Sequence, residues 1–351
     1  MAKIIFDLGA VGERAGSVSA RAYILALKKF YGIESLIAYE KNHKNNNNKR
    51  ISELISEGLL LVDYSKEIDL HSIGKNWGAT HSYFYTGGEY STKWVKNTKK
   101  LTHAVFPIFE PHGDAYNYVS EWMYHKATQS KKMRTKNYRF TEVMKAKLNP
   151  YKLDSNIPIS WVPFIVDAKI GNGNDFRNEF NIPLEAKVVG RIGGFKQFDD
   201  KAAQLGVIEL CNEHPDIFFV FVNTDKFYHH KNLIFIDYLS EQDKWDFYSA
   251  GNVFINGRLQ GEGFGYSICE PLAAGKPIIA PHAARNFRMD KFHCGLLSGQ
   301  NLLYKSKEDF KRKLLVQLSL PHDSKILIEL VNGYKPEYVV NKFMTKFFID
   351  K

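Results

Sequence analysis

Strand-like and helix-like patterns alternate along residues 187–280, and this alternation leaves the chain few architectures. Five apolar runs have the length of buried strands, and three segments with helical spacing lie between them. The predicted strands are Lys187–Gly190, Ile217–Val222, Leu233–Ile236, Val253–Asn256 and Pro277–Ala280, and the predicted helices are Asp200–Glu213, Glu241–Ser249 and Tyr266–Ala274. Parallel strands need a crossover that is usually a helix, so the pattern predicts an α/β domain with a parallel sheet covered on both faces.

The first half of the chain shows a weaker version of the same pattern. A helix is predicted at Ser17–Phe30, and Asn42–Arg50, with its four consecutive asparagines, is predicted as a mobile low-complexity loop. The predicted strands are Lys3–Leu8, Ser35–Tyr39, Leu59–Asp63, Thr80–Tyr85, Ala104–Phe109 and Tyr116–Ser120. At 351 residues the chain is long enough for two domains. We expect one domain over residues 1–165, a second over residues 166–335, and a final helix over residues 336–351 that packs back on the first.

Composition favours an intracellular protein. No apolar run approaches the ~20 residues that a membrane-spanning helix needs, and the first residues lack the apolar stretch of a signal peptide. The three cysteines are odd in number and lack the spacing of metal ligands. A cytoplasmic location is therefore expected.

The excess of positive charge lies in the first half. Residues 1–160 contain 24 lysines and arginines against 15 acidic residues, while the remainder contains 24 against 23. The excess is concentrated in residues 93–100 and 126–147. It is either a solvated basic surface or a surface that attracts an anionic membrane or substrate, at ~1 kcal/mol for each basic residue near an acidic bilayer. The chain lacks a recognisable nucleic-acid-binding motif, so nucleic acid is not an expected partner.

Residues 261–277 carry the motif with the clearest chemistry. Glu262 and Glu270 stand eight residues apart around a Gly-x-Gly turn that opens a predicted helix. The first backbone N–H groups of a helix have no partner within it, which makes a strand–turn–helix junction a site for anions. Such turns are also common structural features of α/β proteins. The two carboxylates, which can accept hydrogen bonds from hydroxyl groups, favour a ligand that carries both phosphate and hydroxyls, such as a nucleotide sugar.

The same residues resemble a family signature. Residues 262–277 resemble the Glu-x7-Glu motif of retaining glycosyltransferases with the GT-B fold, above all glycosyltransferase family 4, with Pro271 where alanine is commoner. Residues 189–196 are similar to the family's Gly-Arg-x-x-x-x-Lys segment, and residues 161–167 resemble its interdomain Val/Ile-Pro segment.

The resemblance implies a fold and an activity. The fold would be two Rossmann-like domains that face each other across a cleft. The activity would be transfer of a hexose-type sugar from UDP or GDP to a glycan, lipid-linked or protein acceptor, with retention of configuration. The sequence contains no Asp-x-Asp motif, so no metal and no other cofactor is expected.

The resemblance also assigns donor-binding residues. Arg191 and Lys196 would neutralise the diphosphate, Glu270 would accept hydrogen bonds from the ribose, and Glu262 would hold the transferred sugar. The turn that would receive the phosphates comprises Gly263, Phe264, Gly265 and Tyr266.

The first half matches the family less closely. Gly16, in Ala15-Gly16-Ser17, resembles the family's glycine-rich loop near the donor phosphates, although a helix cap would also explain it. His103 best resembles the histidine that the family places in its first domain, with His81 and His112 as alternatives. A buried structural histidine would explain any of the three.

Two other functions remain open at this point. A non-hydrolysing nucleotide-sugar epimerase uses the same twin-domain fold, but needs acid and base groups from both domains and no acceptor. A catalytically silent subunit would bind a nucleotide sugar or glycan without turnover. The joint presence of Arg191, Lys196, Glu262 and Glu270 argues against the silent subunit.

Overall fold

The computed structural model of the protein describes residues 2–12, 15–91, 93–137, 157–286 and 289–348. The chain divides into two compact units, each with its own parallel sheet. Unit 1 comprises Met1–Ile165 and Pro336–Lys351, and unit 2 comprises Val166–Lys335. The predicted α/β class with two Rossmann-like domains is therefore confirmed.

The sheet of unit 1 has seven strands in the order β3-β2-β1-β4-β5-β6-β7. All neighbours are parallel. The strands are β1 Lys3–Gly9, β2 Glu34–Glu40, β3 Leu60–Tyr64, β4 His81–Thr86, β5 Lys99–Ala104, β6 Ala115–Tyr118 and β7 Ile159–Trp161. This order places β1 and β4 at the centre, where Ile4, Ile5 and Phe6 are fully buried. The order reverses between β1 and β4, which is the point where doubly wound sheets bind ligands.

Five helices of unit 1 lie in the described residues. They are α1 Ala15–Tyr31, α2 Asn48–Ser56, α3 Glu67–Trp77, α4 Glu121–Asn137 and, from the end of the chain, α12 Pro336–Phe347. The last helix buries Val339, Val340, Phe343 and Phe347. Its Phe343 ring lies 5.2 Å from the ring of Tyr23 in α1, so the end of the chain contributes to the core of unit 1.

Unit 2 repeats the same strand order with six parallel strands, β10-β9-β8-β11-β13-β15. The strands are β8 Lys187–Ile192, β9 Ile217–Val222, β10 Leu233–Ile236, β11 Val253–Ile255, β13 Ile278–Pro281 and β15 Leu303–Tyr304. A separate two-stranded parallel ladder joins β12 Gly261–Glu262 to β14 Asp290–Lys291. The helices are α5 Gly173–Glu179, α6 Lys201–Glu213, α7 Glu241–Ala250, α8 Tyr266–Ala273, α9 Phe292–Leu296, α10 Lys307–Ser319 and α11 Ser324–Glu329.

Continuous apolar strands build the core of unit 2. Strand β9 reads Ile-Phe-Phe-Val-Phe-Val, and five of its six residues are buried. Strands covered by helices on both faces read as apolar runs of this kind. Beside it, Gly190 of β8 admits the ring of Phe254, because a Cβ at Gly190 would lie only 2.3 Å from that ring. The sheet therefore packs without room for a side chain at this position.

Two predicted segments differ from the structure. The strand predicted at Ala104–Phe109 is wrong, since β5 ends at Ala104 and pairs His103 with Tyr85. The apolar residues after it include Pro107, which has no N–H to donate to a ladder. The mobile loop predicted at Asn42–Arg50 is also wrong in part, because helix α2 begins at Asn48.

The asparagine run is held by specific hydrogen bonds. The Asn46 side chain accepts from the N–H of Val11 at 3.0 Å and donates to the carbonyl of Glu40 at 2.8 Å. The Asn47 side chain accepts from the N–H groups of Lys49 and Arg50, at 2.9 and 3.2 Å, and so caps α2. These asparagines join the turn after β1 to the ends of β2 and α2.

Asn47, which caps α2, and its neighbour Asn48 are the same residue type and so allow a matched test of the cap. We expect Asn47→Ala to lower the opening free energy of α2 by ~1 kcal/mol, because two N–H groups lose their acceptor. Asn48→Ala should change it by less than ~0.5 kcal/mol, since Asn48 is exposed on the helix surface. Hydrogen exchange of peptides that cover residues 48–56 measures both values. Equal effects from the two variants would contradict the assigned cap.

Candidate functional site

The carboxyl ends of the strands in unit 2 carry most of the predicted site. Arg191 lies near the end of β8, Thr224 follows β9, and Asn256 follows β11. The segment with Glu262 and Glu270 follows Asn256 and runs through β12 into α8. Open α/β sheets bind ligands at this edge, because the loops after parallel strands meet there.

Arg191 is buried at this edge and keeps its charge. Its Nη1 donates to the hydroxyl of Thr224, and its guanidinium lies 5.5 Å from the ring of Phe198. Burial lowers the pKa of Arg191 to about 10, against the opposing effects of the Glu262 and Asp199 carboxylates. The side chain is therefore a protonated, largely desolvated cation at neutral pH, in which state its attraction for an anion is screened little by water.

Glu262 is the centre of a buried polar network. Its Oε2 accepts from Arg258 Nη1 at 2.9 Å, and its Oε1 accepts from Asn256 Nδ2 at 3.2 Å and from the Ser267 hydroxyl at 3.4 Å. Burial raises the pKa of Glu262, while Arg258, Asn256 and Ser267 oppose that shift. A carboxylate has about four lone-pair sites, so these three donors leave about one for a ligand hydroxyl.

The turn between β12 and α8 is shaped by Gly265. A Cβ at Gly265 would lie 2.8 Å from Cγ of Glu262, so glycine permits the carboxylate to pass beneath the start of the helix. Gly265 is also the N-cap of α8 and has no side chain to cap it. Gly263 precedes Phe264, whose ring packs 5.6 Å from that of Tyr266 and 5.1 Å from that of Phe292. The predicted phosphate turn is thus a packed backbone segment at a helix start.

Glu270 lies one turn further along α8 and is also buried. Its Oε1 accepts from Lys244 Nζ at 2.6 Å, and its Oε2 accepts from the Tyr248 hydroxyl at 2.7 Å. Both partners belong to α7. Burial raises the pKa of Glu270, and the charge of Lys244 is the main opposing effect.

Two predicted donor residues are not joined to these networks by a hydrogen bond that the structure describes. Lys196 is in the loop after β8, with a left-handed φ of 59° and an exposed side chain. Gly16 belongs to unit 1, in the first turn of α1, where a Cβ would meet nothing within 4 Å. Their positions do not show whether either residue contacts the donor phosphates, so that role stays a prediction for both.

The three candidate histidines of unit 1 differ in position. His103 lies near the carboxyl end of β5, whereas His81 begins β4 and His112 precedes β6, at the amino end of the sheet. His103 is fully buried, with Nδ1 bonded to the Tyr83 hydroxyl and Nε2 donating to the carbonyl of Val162 at 2.8 Å. Burial lowers the pKa of His103 to about 4, so the imidazole is neutral at pH 7. Its proposed catalytic role remains a prediction.

A polar cluster in unit 1 was not predicted from the sequence. Asp7 of β1 lies 2.7 Å from Lys93 Nζ and accepts from the Tyr64 hydroxyl at 2.9 Å, and Lys93 is 3.5 Å from Glu40. Asp7, Glu40 and Tyr64 lie near the carboxyl ends of β1, β2 and β3, the neighbouring strands on one side of the sheet. A pocket of about 430 Å³ beside them is lined by Glu40, Tyr64, Ser65 and residues 41–44.

The basic character of unit 1 is only partly a surface property. Lys93 is engaged with Asp7, and Lys100 is mostly buried and donates to the carbonyl of Ser91 at 2.5 Å. Burial lowers the pKa of Lys100 to about 8. Of the second basic run, Lys126 lies 4.5 Å from the ring of Trp122, while Arg139, Lys145 and Lys147 lie outside the described residues.

Two absences hold for the described part of the chain alone. Among those residues, no group of three or more histidine, cysteine, aspartate or glutamate side chains is arranged to hold a metal ion. No helix there is long and apolar enough to cross a bilayer.

Sequence reasoning missed the residues that orient the predicted ones. These are Thr224 beside Arg191, Asn256, Arg258 and Ser267 around Glu262, and Lys244 and Tyr248 on Glu270. One signal could have found two of them, because Thr224 and Asn256 are polar residues within two positions of the end of an apolar strand. Lys244 and Tyr248 are visible only once α7 packs on α8, and Arg258 and Ser267 only once the loop after β11 and the start of α8 meet at Glu262.

Comparison with known proteins locates the fold. No protein-family model and no curated protein matches the chain. Among solved structures, a glycosyltransferase from Rickettsia africae is similar over 99% of this chain and 98% of its own, with a TM-score of 0.60 and 14% identity. The HepE protein of Anabaena in complex with UDP and glucose is similar over 98% and 99%, with a TM-score of 0.67 and 10% identity.

A third similar structure is an epimerase. The UDP-GlcNAc 2-epimerase of Neisseria meningitidis bound to UDP-GlcNAc matches over 99% of this chain and 100% of its own, with a TM-score of 0.59 and 10% identity. The chain therefore has the GT-B fold, which these glycosyltransferases and epimerases share. At such low identity the likeness concerns the fold alone.

The neutral state of His103 has a measurable consequence. Its pKa of about 4 in the folded protein lies below the ~6.5 of an unfolded chain, so the folded state binds this proton more weakly. The stability that burial of the neutral ring permits is present above about pH 6.5 and is lost progressively toward about pH 4, by ~3 kcal/mol in all. An imidazole NMR titration, assigned with His103→Gln, should show no protonation above about pH 5. A midpoint near 6.5 would contradict the buried, neutral assignment.

Proposed function

We propose that the protein is a glycosyltransferase that takes a hexose-type sugar from a nucleotide-sugar donor and transfers it to an acceptor. The observation that carries this proposal is the arrangement of one buried cation and two buried carboxylates at the carboxyl edge of unit 2. All three residues are buried in unit 2. Arg191 can bind a phosphate group, and Glu262 and Glu270 can accept hydrogen bonds from hydroxyl groups. Similar folds bind UDP and glucose in one relative and UDP-GlcNAc in another, which supports a nucleotide-sugar donor.

In the proposed reaction, Arg191 and the backbone at the start of α8 hold the donor diphosphate. As the bond from the anomeric carbon to the phosphate oxygen breaks, negative charge grows on the leaving nucleoside diphosphate. A desolvated guanidinium already in place stabilises that charge without reorganisation. Lys196, exposed in the loop after β8, adds a second cation when its side chain turns toward the phosphates.

Glu262 has the role of orienting the transferred sugar. Three donors fix its carboxylate, so its remaining lone pair has a defined direction for one sugar hydroxyl. Glu270 accepts hydrogen bonds from the ribose of the nucleotide. We further propose that transfer proceeds with retention of configuration and without a metal, in line with the family 4 resemblance of residues 262–277.

The acceptor is proposed to bind unit 1. The pocket beside Asp7, Glu40, Tyr64 and Lys93 offers carboxylate, hydroxyl and ammonium groups that suit a glycan. The excess of basic residues in the first half suits an acceptor with anionic groups, including one held at an anionic membrane. His103 reaches a sugar only if the Tyr83 or Val162 partner of its ring is displaced, so we give it a supporting role beneath Tyr85, on which it stacks at 5.9 Å.

An epimerase is the second candidate, because an epimerase is among the similar folds. That reaction needs acid and base groups that exchange protons with the sugar. The candidate histidines of unit 1 favour it less, since His103 uses both ring nitrogens within its own unit and burial lowers the pKa of all three.

The proposal predicts donor turnover that depends on Arg191. We expect the purified protein to release nucleotide slowly from one of the UDP-, GDP-, ADP- or dTDP-sugars. Arg191→Met should reduce the rate by ~10²–10³-fold, the usual cost of removing one donor to a developing charge. The readouts are nucleotide release and, in the same samples, sugar isomers separated by chromatography.

Two exposed lysines, Lys196 and Lys201, distinguish an effect at the donor site from a general effect of surface charge. Lys196→Met should lower the rate, whereas Lys201→Met, an exposed lysine at the start of α6, should not. Circular dichroism establishes that each variant is folded. Conversion of the donor into an isomer would favour the epimerase function. Absence of both binding and turnover for every donor would overturn the proposal that the protein is an enzyme.

A further inference from the structure

The contact between α7 and α8 orients Glu270. Lys244 and Tyr248 stand four residues apart on α7, which places both side chains on one face of the helix. Lys244 Nζ lies 2.6 Å from Oε1 of Glu270, and the Tyr248 hydroxyl lies 2.7 Å from Oε2. Each carboxylate oxygen thus has its own donor, and the plane of the carboxylate is fixed.

The group is buried, but it has not lost all contact with the surface. The side chains of Lys244 and Glu270 are 10% and 7% exposed. Burial by itself lowers the pKa of Lys244, but the carboxylates of Glu270 and Glu241 outweigh it and raise that pKa. Lys244 also lies 3.2 Å from Glu241, so one ammonium group holds two carboxylates. The ammonium group of Lys244 therefore favours the carboxylate form of Glu270, in opposition to the burial that raises the pKa of Glu270.

Stability alone does not explain this arrangement. A buried ion pair contributes little compared with apolar residues of the same volume, because both charges lose their water. What it does provide is a carboxylate whose charged form is favoured by an adjacent ammonium group and whose orientation is fixed by two donors. With two of its roughly four lone-pair sites occupied, Glu270 retains about two. That number equals the two neighbouring hydroxyls of a ribose.

We propose that Lys244 and Tyr248 are positioning residues that hold Glu270 ionised and oriented to accept both ribose hydroxyls of the nucleotide. The inference rests on the proposed function, in which Glu270 binds the ribose. It goes further by naming the residues that give the site its preference for a ribonucleotide over a deoxyribonucleotide. Neither Lys244 nor Tyr248 needs to contact the ligand.

The test compares ribose with deoxyribose. Isothermal titration would measure the Kd of UDP and of 2′-deoxy-UDP, and of the GDP pair, with the full-length protein. A hydrogen bond to a charged group contributes enough to give the wild type about a 10- to 100-fold preference for the ribonucleotide. In Lys244→Met and Tyr248→Phe that preference should fall by about tenfold, because the ribonucleotide loses two oriented hydrogen bonds and the deoxynucleotide, which keeps only its 3′-hydroxyl, loses one.

Two further variants separate positioning from structure. Tyr304→Phe removes a similar hydrogen bond, from a buried tyrosine to Asp200 at 2.7 Å, elsewhere in unit 2. It should cost similar stability and leave the ribose preference unchanged. Lys244→Arg keeps the charge and should restore part of the preference lost in Lys244→Met. Tyr248→Phe removes only one oxygen, so it reports even if Lys244→Met does not fold.

The outcomes distinguish this inference from the function on which it rests. A wild type that prefers the ribonucleotide, with Tyr248→Phe and folded Lys244 variants that keep the full preference, would overturn the positioning role and leave the transferase standing. Equal weakening of both nucleotides would likewise assign the pair to structure alone. A wild type that binds no nucleoside diphosphate would overturn the inference and the proposed function together.

Discussion

The carboxylate of Glu262 holds together the carboxyl edge of unit 2. Its three donors come from the residue after β11, from the following loop, and from the first turn of α8: Asn256, Arg258 and Ser267. A buried carboxylate with unpaired oxygens would cost several kcal/mol, so these segments must converge on it. Gly265 closely approaches the same carboxylate, whose charge also favours the protonated form of Arg191. One buried carboxyl group therefore defines the shape of the edge where a ligand would bind.

A second buried network surrounds Glu270. Glu270 belongs to α8, as Ser267 of the first network does, but its partners Lys244 and Tyr248 come from α7. The first network fixes the start of α8, and the second fixes its middle. Pro271 stands inside this helix, which spans only Tyr266–Ala273. A short helix held by the Ser267–Glu262 hydrogen bond at its start and by the Lys244–Glu270 ion pair in its middle is a rigid base for groups that must be directed before substrate arrives.

Unit 1 uses the same device for a different surface. Asp7, Lys93 and Tyr64 form a partly buried polar cluster near the carboxyl ends of its strands, and the asparagine run is bonded to the turn after β1. The cluster differs from that of unit 2 in carrying lysine where unit 2 carries arginine. Lysine is a compact point charge without the planar fork of arginine that matches phosphate. The difference fits the proposed division in which unit 2 binds the diphosphate and unit 1 binds a hydroxylated acceptor.

The sequence by itself determined the α/β class, the alternation that gives two parallel sheets, and most strand positions in unit 2. These depend on local periodicity and on continuous apolar runs such as Ile217–Val222, which are patterns of residues adjacent in the sequence. The sequence-based prediction was wrong at β5, because the apolar run Ala104–Phe109, which contains Pro107, predicts a strand in place of Lys99–Ala104. It was also wrong in part at the asparagine segment, whose composition is typical of a loop. The motif of residues 261–277 also identified Glu262 and Glu270 as candidate site residues, and the segment of residues 189–196 identified Arg191.

Only the tertiary structure decided what those residues contact. Lys244 and Tyr248 precede Glu270 by 26 and 22 residues, and Thr224 follows Arg191 by 33, so no local pattern could pair them. The environment of His103 was hidden for the same reason, since its partners Tyr83 and Val162 come from distant parts of unit 1. Burial and charge pairing are sums over neighbours in space, whereas a sequence pattern records neighbours along the chain.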